Sequence, residues 1–186
     1  MNPSGLYAHY IDEPETPRPS PLVPPLCFSM VSPGVYRSGY PLEINFPMLE
    51  KLKLRTIIYL ADTDYLDENI TWCQRHDITV HHYRVPSVRE PFVENDPVAI
   101  ESALRVLSDR RNFPLLVHSN KGKHRVGVLI GCMRKLLQKW SLTAIYAEYM
   151  RFAGEKGDAD LEFIELFEPK SLGDVPEDSR QEWLVT

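Results

Sequence analysis

Three features of the sequence predict an α/β fold. Strand-like and helix-like segments alternate through the body of the chain, the strand segments are short apolar runs, and the C-terminal third reads as helix alone. Such an alternation specifies a parallel or mixed sheet sandwiched by helices, which binds ligands beyond the carboxyl ends of its strands. At 186 residues, with 43% apolar or aromatic and 25% charged, the chain fits one ordinary globular domain.

The elements follow in order. Leu26 to Met30 and Val35 to Arg37 flank Ser32-Pro33-Gly34, a turn triplet that predicts a hairpin or sharp corner. Asn45 with Pro47 suits a helix start through Met48, Leu49 and Leu52, and Thr56-Ile57-Ile58-Tyr59-Leu60 is a β-branched run typical of a buried strand. A helix over 66–76 precedes a strand from Ile78 to Val85, in which His81 and His82 point to opposite faces. Asp96 caps a helix opened by Pro97, whose Ile100, Ala103, Leu104 and Leu107 recur at helical spacing. Pro114 to His118 is the fourth buried strand. Helices then cover Val126 to Trp140, the stretch capped by Ser141 through Leu142, Ile145, Tyr149 and Phe152, and Asp160 to Phe167.

Composition narrows the function. Six of the twelve positions from Pro14 to Pro25 are proline, so residues 1–24 read as an extended, disordered leader or a proline-rich ligand for a partner domain. Residues 169–186 read as a tail, and 25–168 as the folded domain. No run approaches the roughly 18 apolar residues of a membrane span, and the first residues lack a secretory signal, so a soluble cytoplasmic protein is expected. Cys27, Cys73 and Cys132 form no C-x-x-C pair, which argues against a disulfide framework or a metal site; no cofactor is expected either. A net charge of -5 argues against nucleic acid and anionic membranes as partners. Only a local basic patch can capture an anion.

That patch is LLVHSNKGKHRVGVLIG, residues 115–131, where a buried strand enters a short loop rich in glycine and cations and then a helix. Loop amides and a helix N-terminus together form a cradle for a tetrahedral anion. Ser119, Asn120, Lys121, Gly122, Lys123, His124 and Arg125 are the candidate phosphate-binding residues, with the planar guanidinium of Arg125 suited to grip two oxygens. Neither a Walker loop nor G-x-G-x-x-G is present.

The stretch H-S-N-K-G-K-H-R-V-G, residues 118–127, resembles the H-C-x-x-G-x-x-R-[ST]-G signature of cysteine-dependent protein tyrosine and dual-specificity phosphatases. Its Gly-Lys-His-Arg form is similar to the plant and fungal atypical dual-specificity phosphatases, a group associated with inositol pyrophosphate hydrolysis. Residues 36–41 (YRSGYP), 56–60 (TIIYL), 89–93 (REPFV), 130–136 (IGCMRKL) and 148–152 (EYMRF) match that group as well. The resemblance covers about residues 25–168. It implies the dual-specificity phosphatase fold, with a central mostly parallel sheet flanked by helices. The stretch from His118 to Gly127 also resembles the fungal tyrosine-phosphatase-like proteins linked to oxidant-induced cell-cycle arrest, some of which lack the cysteine.

Two departures bear on function. The resemblance places the nucleophilic cysteine at the position of Ser119, and a serine hydroxyl needs a general base where a thiol supplies its own thiolate. Val126 stands where active members carry Ser or Thr to assist the second step. His118 is expected to support the backbone, and His124 has no acidic partner identifiable in sequence. Glu90 is the preferred proton donor by position, against the alternative of a solvated loop carboxylate; Glu94 and Asp96 lie in the same region, and Asp96 is better explained as the helix cap. Arg37, Arg84 and Arg89 are read either as a widened basic rim or as ordinary surface charges. Cys132 is assigned to core packing.

Two lost functions at adjacent chemical steps predict a pseudophosphatase that binds a phosphorylated ligand, an inositol polyphosphate or pyrophosphate or a phosphoprotein, or that regulates an active homologue. The alternatives are an active cysteine phosphatase held as an engineered Cys-to-Ser trap, residual serine-based activity, and a pure scaffold with an empty loop.

Overall fold

A computed structural model describes residues 21–86, 95–154 and 157–170. Strands β1 (Ser29–Ser32) and β2 (Val35–Ser38) form the expected hairpin, with Gly34 at φ 77 in its turn, a left-handed backbone that glycine adopts without strain. The first strand begins later than the apolar run suggests, because the chain turns sharply at Cys27, where φ is 54. After α1 (Phe46–Glu50) come β3 (Thr56–Leu60), α2 (Asp67–Arg75), β4 (Thr79–Tyr83) and α3 (Pro97–Ser108). Then β5 (Leu115–His118) leads to α4 (His124–Leu137), α5 (Leu142–Ala153) and α6 (Asp158–Leu166).

The sheet order is β1-β2-β5-β3-β4, antiparallel only between β1 and β2, so the fold is the expected mostly parallel α/β sandwich. All five residues of β3 are buried, as a central strand covered on both faces requires. Its alternation divides the core in two. Ile58 and Leu60, with Leu115 and Val117 of β5, pack under α3 to α6 against residues such as Leu104, Leu129, Ile145 and Ile164. Ile57 and Tyr59, with Leu116, face the smaller layer of Leu49, Trp72 and Cys73. Cys132 is fully buried in the larger layer, as expected, and its burial pushes the thiol well up.

Caps fix two helix starts. The Asp96 carboxylate accepts from the amides of Val98 and Ala99, and Ser141 accepts from Ala144. Asn45 acts differently: its side chain accepts from Leu42 N and donates to Val23 O, so tertiary contacts reach back at least to residue 23. Parallel pairing sets Ser38 beside His118 on one side and Tyr59 on the other, which brings the carboxyl ends of β2, β5 and β3 to one edge. The loop from Ser119 to Lys123 starts there.

Candidate phosphate-binding site

The loop is shaped by backbone meeting backbone. Gly122 has φ 70, and a Cβ on it would lie 2.4 Å from Gly39 N and from the carbonyl carbon of Ser38. On the facing strand end, a Cβ on Gly39 would come within 3.2 Å of the Lys121 carbonyl carbon. Two glycines therefore sit back to back, and no side chain fits between them. Tyr40 N donates to Asn120 O at 3.3 Å, and Gly39 N to Leu26 O.

Arg37 completes the support from below. It lies beneath the loop rather than on the rim: its side chain is buried, donates to Gly122 O at 2.9 Å and Lys123 O at 3.4 Å, and stacks over the Phe152 ring. Burial lowers its pKa to about 10, with Glu148 opposing, so it stays charged at neutral pH. Arg84, exposed, binds Asp62 O and Asp64, while Arg89, Glu90 and Glu94 fall outside the described residues.

Within the loop, the Ser119 hydroxyl is buried and accepts from Gly122 N at 3.1 Å. No other hydrogen-bond partner reaches it among the described residues. His118 is committed to the aromatic layer behind the loop, with Nε2 3.1 Å from the Tyr65 hydroxyl, its ring stacked on Tyr59, and Nδ1 buried. Burial drives its pKa down to about 3, so it is neutral at physiological pH and holds its place as a wedge. Asn120 accepts from the Tyr59 hydroxyl, which also bonds Thr63.

Helix α4 begins at His124, two residues earlier than its apolar pattern suggests, so its first turn is part of the loop. No side chain caps it and no acid stands in its first turn, which leaves its N-terminal amides and positive dipole end facing the cradle. Lys121 is exposed and Lys123 half-buried, and neither has an ion-pair partner among the described residues. Arg125 directs one nitrogen, Nη1, to Val85 O at 2.9 Å and to Asp62 Oδ1 at 3.3 Å. Its Nε and Nη2 edge has no partner among the described residues, and such an edge has the geometry to donate to two oxygens of an oxyanion.

Sequence reasoning missed two carboxylates. Asp62, in the loop after β3, touches Arg125 across 63 positions. Asp160, buried at the start of α6, lies 3.3 Å from His124 Nδ1, so the histidine has the acidic partner that sequence spacing does not reveal. Val126 is fully buried in the larger core and offers no donor.

Comparison with known proteins agrees with this geometry. Residues 22–184 match the model of the tyrosine phosphatase family. The rice (Oryza sativa subsp. japonica) inositol diphosphatase DSP1 is 44% identical over 156 residues, 83% of this chain and 70% of the relative. The putative tyrosine-protein phosphatase OCA1 of Yarrowia lipolytica is 41% identical over 170 residues, 90% of this chain and 66% of that one. Among solved structures, the core catalytic domain of the PP-IP phosphatase SIW14 from S. cerevisiae, in complex with citrate, is 39% identical with a TM-score of 0.73, covering 80% of this chain and 89% of that one. With its strand-loop-helix cradle on a mostly parallel sheet, the chain belongs to the tyrosine phosphatase family.

Proposed function

We propose that this protein is a non-catalytic member of its family that binds a phosphorylated ligand, with inositol polyphosphates and pyrophosphates as the favoured class. The observation that carries the reading is the environment of Ser119. Its hydroxyl sits at the head of the cradle, accepts from Gly122 N, and has no base within hydrogen-bond reach among the described residues. An alcohol without a base is a poor nucleophile, whereas the amides, the open end of α4 and the Arg125 fork hold an anion whether or not residue 119 reacts. The ligand class is supported by the names of the relatives, an inositol diphosphatase from rice and a yeast PP-IP phosphatase. Lys121 and Lys123 suit a ligand with several phosphates. A phosphoprotein ligand, or regulation of an active homologue, uses the same cradle. No helix among the described residues is long and apolar enough to cross a membrane, and the cytoplasm is the proposed location.

Calorimetry with inositol hexakisphosphate and an inositol pyrophosphate, alongside a hydrolysis assay, tests the reading. Binding without turnover is expected, with affinity falling as salt rises. Arg125→Ala should weaken it roughly tenfold to a hundredfold, since a charge-assisted hydrogen bond contributes about 1.5 to 3 kcal/mol. Hydrolysis by clean protein that Ser119→Ala abolishes overturns the non-catalytic reading. Absence of binding at low salt, or binding indifferent to Arg125, favours a scaffold with an empty loop. A cysteine codon at position 119 in the coding gene identifies a trapped enzyme instead.

A further inference from the structure

His124 stands in the cradle between Lys123 and Arg125, with its side chain about half exposed. Its ring is held from behind by two elements. Nδ1 lies 2.9 Å from the Tyr149 hydroxyl of α5 and 3.3 Å from Asp160 Oδ2 of α6. Asp160 is buried, and its two oxygens accept from Asn95 Nδ2 at 2.8 Å and from the Tyr149 hydroxyl. Tyr149 itself is packed against backbone, since a Cβ on Gly127 or on Gly157 would strike its ring or hydroxyl.

Counting protons in this cluster gives a definite result. Tyr149 has one hydroxyl hydrogen and spends it on the Asp160 carboxylate. Its oxygen can therefore only accept at His124, and the carboxylate likewise only accepts. Nδ1 of His124 must carry a hydrogen. In the neutral ring this leaves Nε2 as a bare lone pair. Nε2 has no partner among the described residues, so the outward nitrogen of a residue in the anion cradle is an acceptor, the wrong polarity for an oxyanion.

We infer that ligand binding takes one proton from solvent onto Nε2 of His124, and that Asp160 and Tyr149 are positioning residues that reserve Nδ1 for the other hydrogen. This rests on the reading of the loop as a phosphate cradle. The groups that face His124 fit the inference. Asp160 supplies a negative charge behind the imidazolium, and Tyr149 is held neutral, its hydroxyl pushed well up by burial and by Asp160. Arg37 of β2, whose charge reaches the Tyr149 hydroxyl, and Lys123 and Arg125 in the loop disfavour a further positive charge. An anion in the cradle cancels that opposition, which is why protonation and binding occur together.

The test uses the full chain and inositol hexakissulfate, a probe with no titratable proton near neutrality. Calorimetry at pH 7.5 in buffers of different ionisation enthalpy reads proton uptake directly. Close to one proton per bound ligand is expected, with affinity falling up to tenfold per pH unit through the alkaline range. His124→Gln should still bind, several-fold more weakly, with uptake near zero. Asp160→Asn should lower the uptake at pH 7.5, provided its circular dichroism matches the parent; Tyr149→Phe, a milder change, should show a smaller effect in the same direction. Binding without proton uptake, or uptake that persists in His124→Gln, overturns the inference and leaves the binding function standing. No binding of either the sulfate or the phosphate ester overturns both.

Discussion

Arg37 and Gly122 stand 85 positions apart, and the buried guanidinium of the first donates a 2.9 Å hydrogen bond to the carbonyl of the second. A charged side chain thus holds the cradle's floor without facing the ligand. Removing it leaves the buried Gly122 carbonyl short of a donor, while Lys123 O keeps the amide of Gly127.

Arg37→Met should therefore destabilise the fold by about 2 to 4 kcal/mol in chemical denaturation, the scale for removing one member of a buried charged hydrogen-bond set. It should also weaken binding of inositol hexakisphosphate, although Arg37 makes no ligand contact. Unchanged affinity in the folded variant contradicts the supporting role.

Replacing the hydroxyl by a thiol probes the loop's electrostatics independently of turnover. Ser119→Cys, made in a Cys27→Ser background, should react rapidly with iodoacetamide at pH 7, because Gly122 N and the open end of α4 favour the thiolate. Cys73, pushed up to about 11 by burial, and Cys132, pushed higher still, stay silent at that pH. Phosphatase activity should return only weakly, and more strongly when Val126→Thr is added.

Asp62 places a carboxylate on the Nη1 arm of Arg125, beside the fork. Val85 O keeps that arm oriented when the charge is removed, so Asp62→Asn should raise affinity for inositol hexakisphosphate roughly threefold to tenfold at low salt. The gain is modest because Asp62 is more than half exposed. A loss of affinity in titration calorimetry shows instead that Asp62 serves to orient Arg125.

Acid should unfold the protein partly through His118. Above the ordinary histidine value of 6.5 both folded and unfolded chains hold it neutral; below that value only the unfolded chain takes up the proton, until about pH 3. Stability contributed by the buried neutral ring is thus present at high pH and lost as pH falls through this window, by on the order of 2 kcal/mol at pH 5. In His118→Gln the difference between denaturation midpoints at pH 7 and pH 5 should shrink accordingly. An identical acid slope in the variant assigns the loss to other groups.

Most of the fold is written in local pattern. Thr56 to Leu60 is a strand because a short run of β-branched, aromatic and aliphatic residues can be buried on both faces, and Asp96-Pro97 opens α3 because cap and first-turn proline act within three residues. The cradle is legible for the same reason: Ser119 to Arg125 are contiguous. What the sequence hides is whatever reaches the loop across the fold. Asp62, Asp160 and Tyr149 belong to three different elements, and nothing in their spacing distinguishes them from surface acids or core aromatics. Arg37 reads as a rim or ordinary surface charge because sequence alone does not report that its strand end lies beneath Gly122.

The facing glycines carry a longer consequence. The curvature of the cradle is set by Gly39 against Gly122, by Arg37 from below and by the first turn of α4, to which the side chain at position 119 adds one acceptor, for Gly122 N. The shape of the cradle and the chemistry at its head are therefore carried by different residues. A change at position 119 alters what can react there while Gly39, Gly122 and Arg37 keep their contacts, whereas a change at Arg125 alters the grip and leaves position 119 as it was.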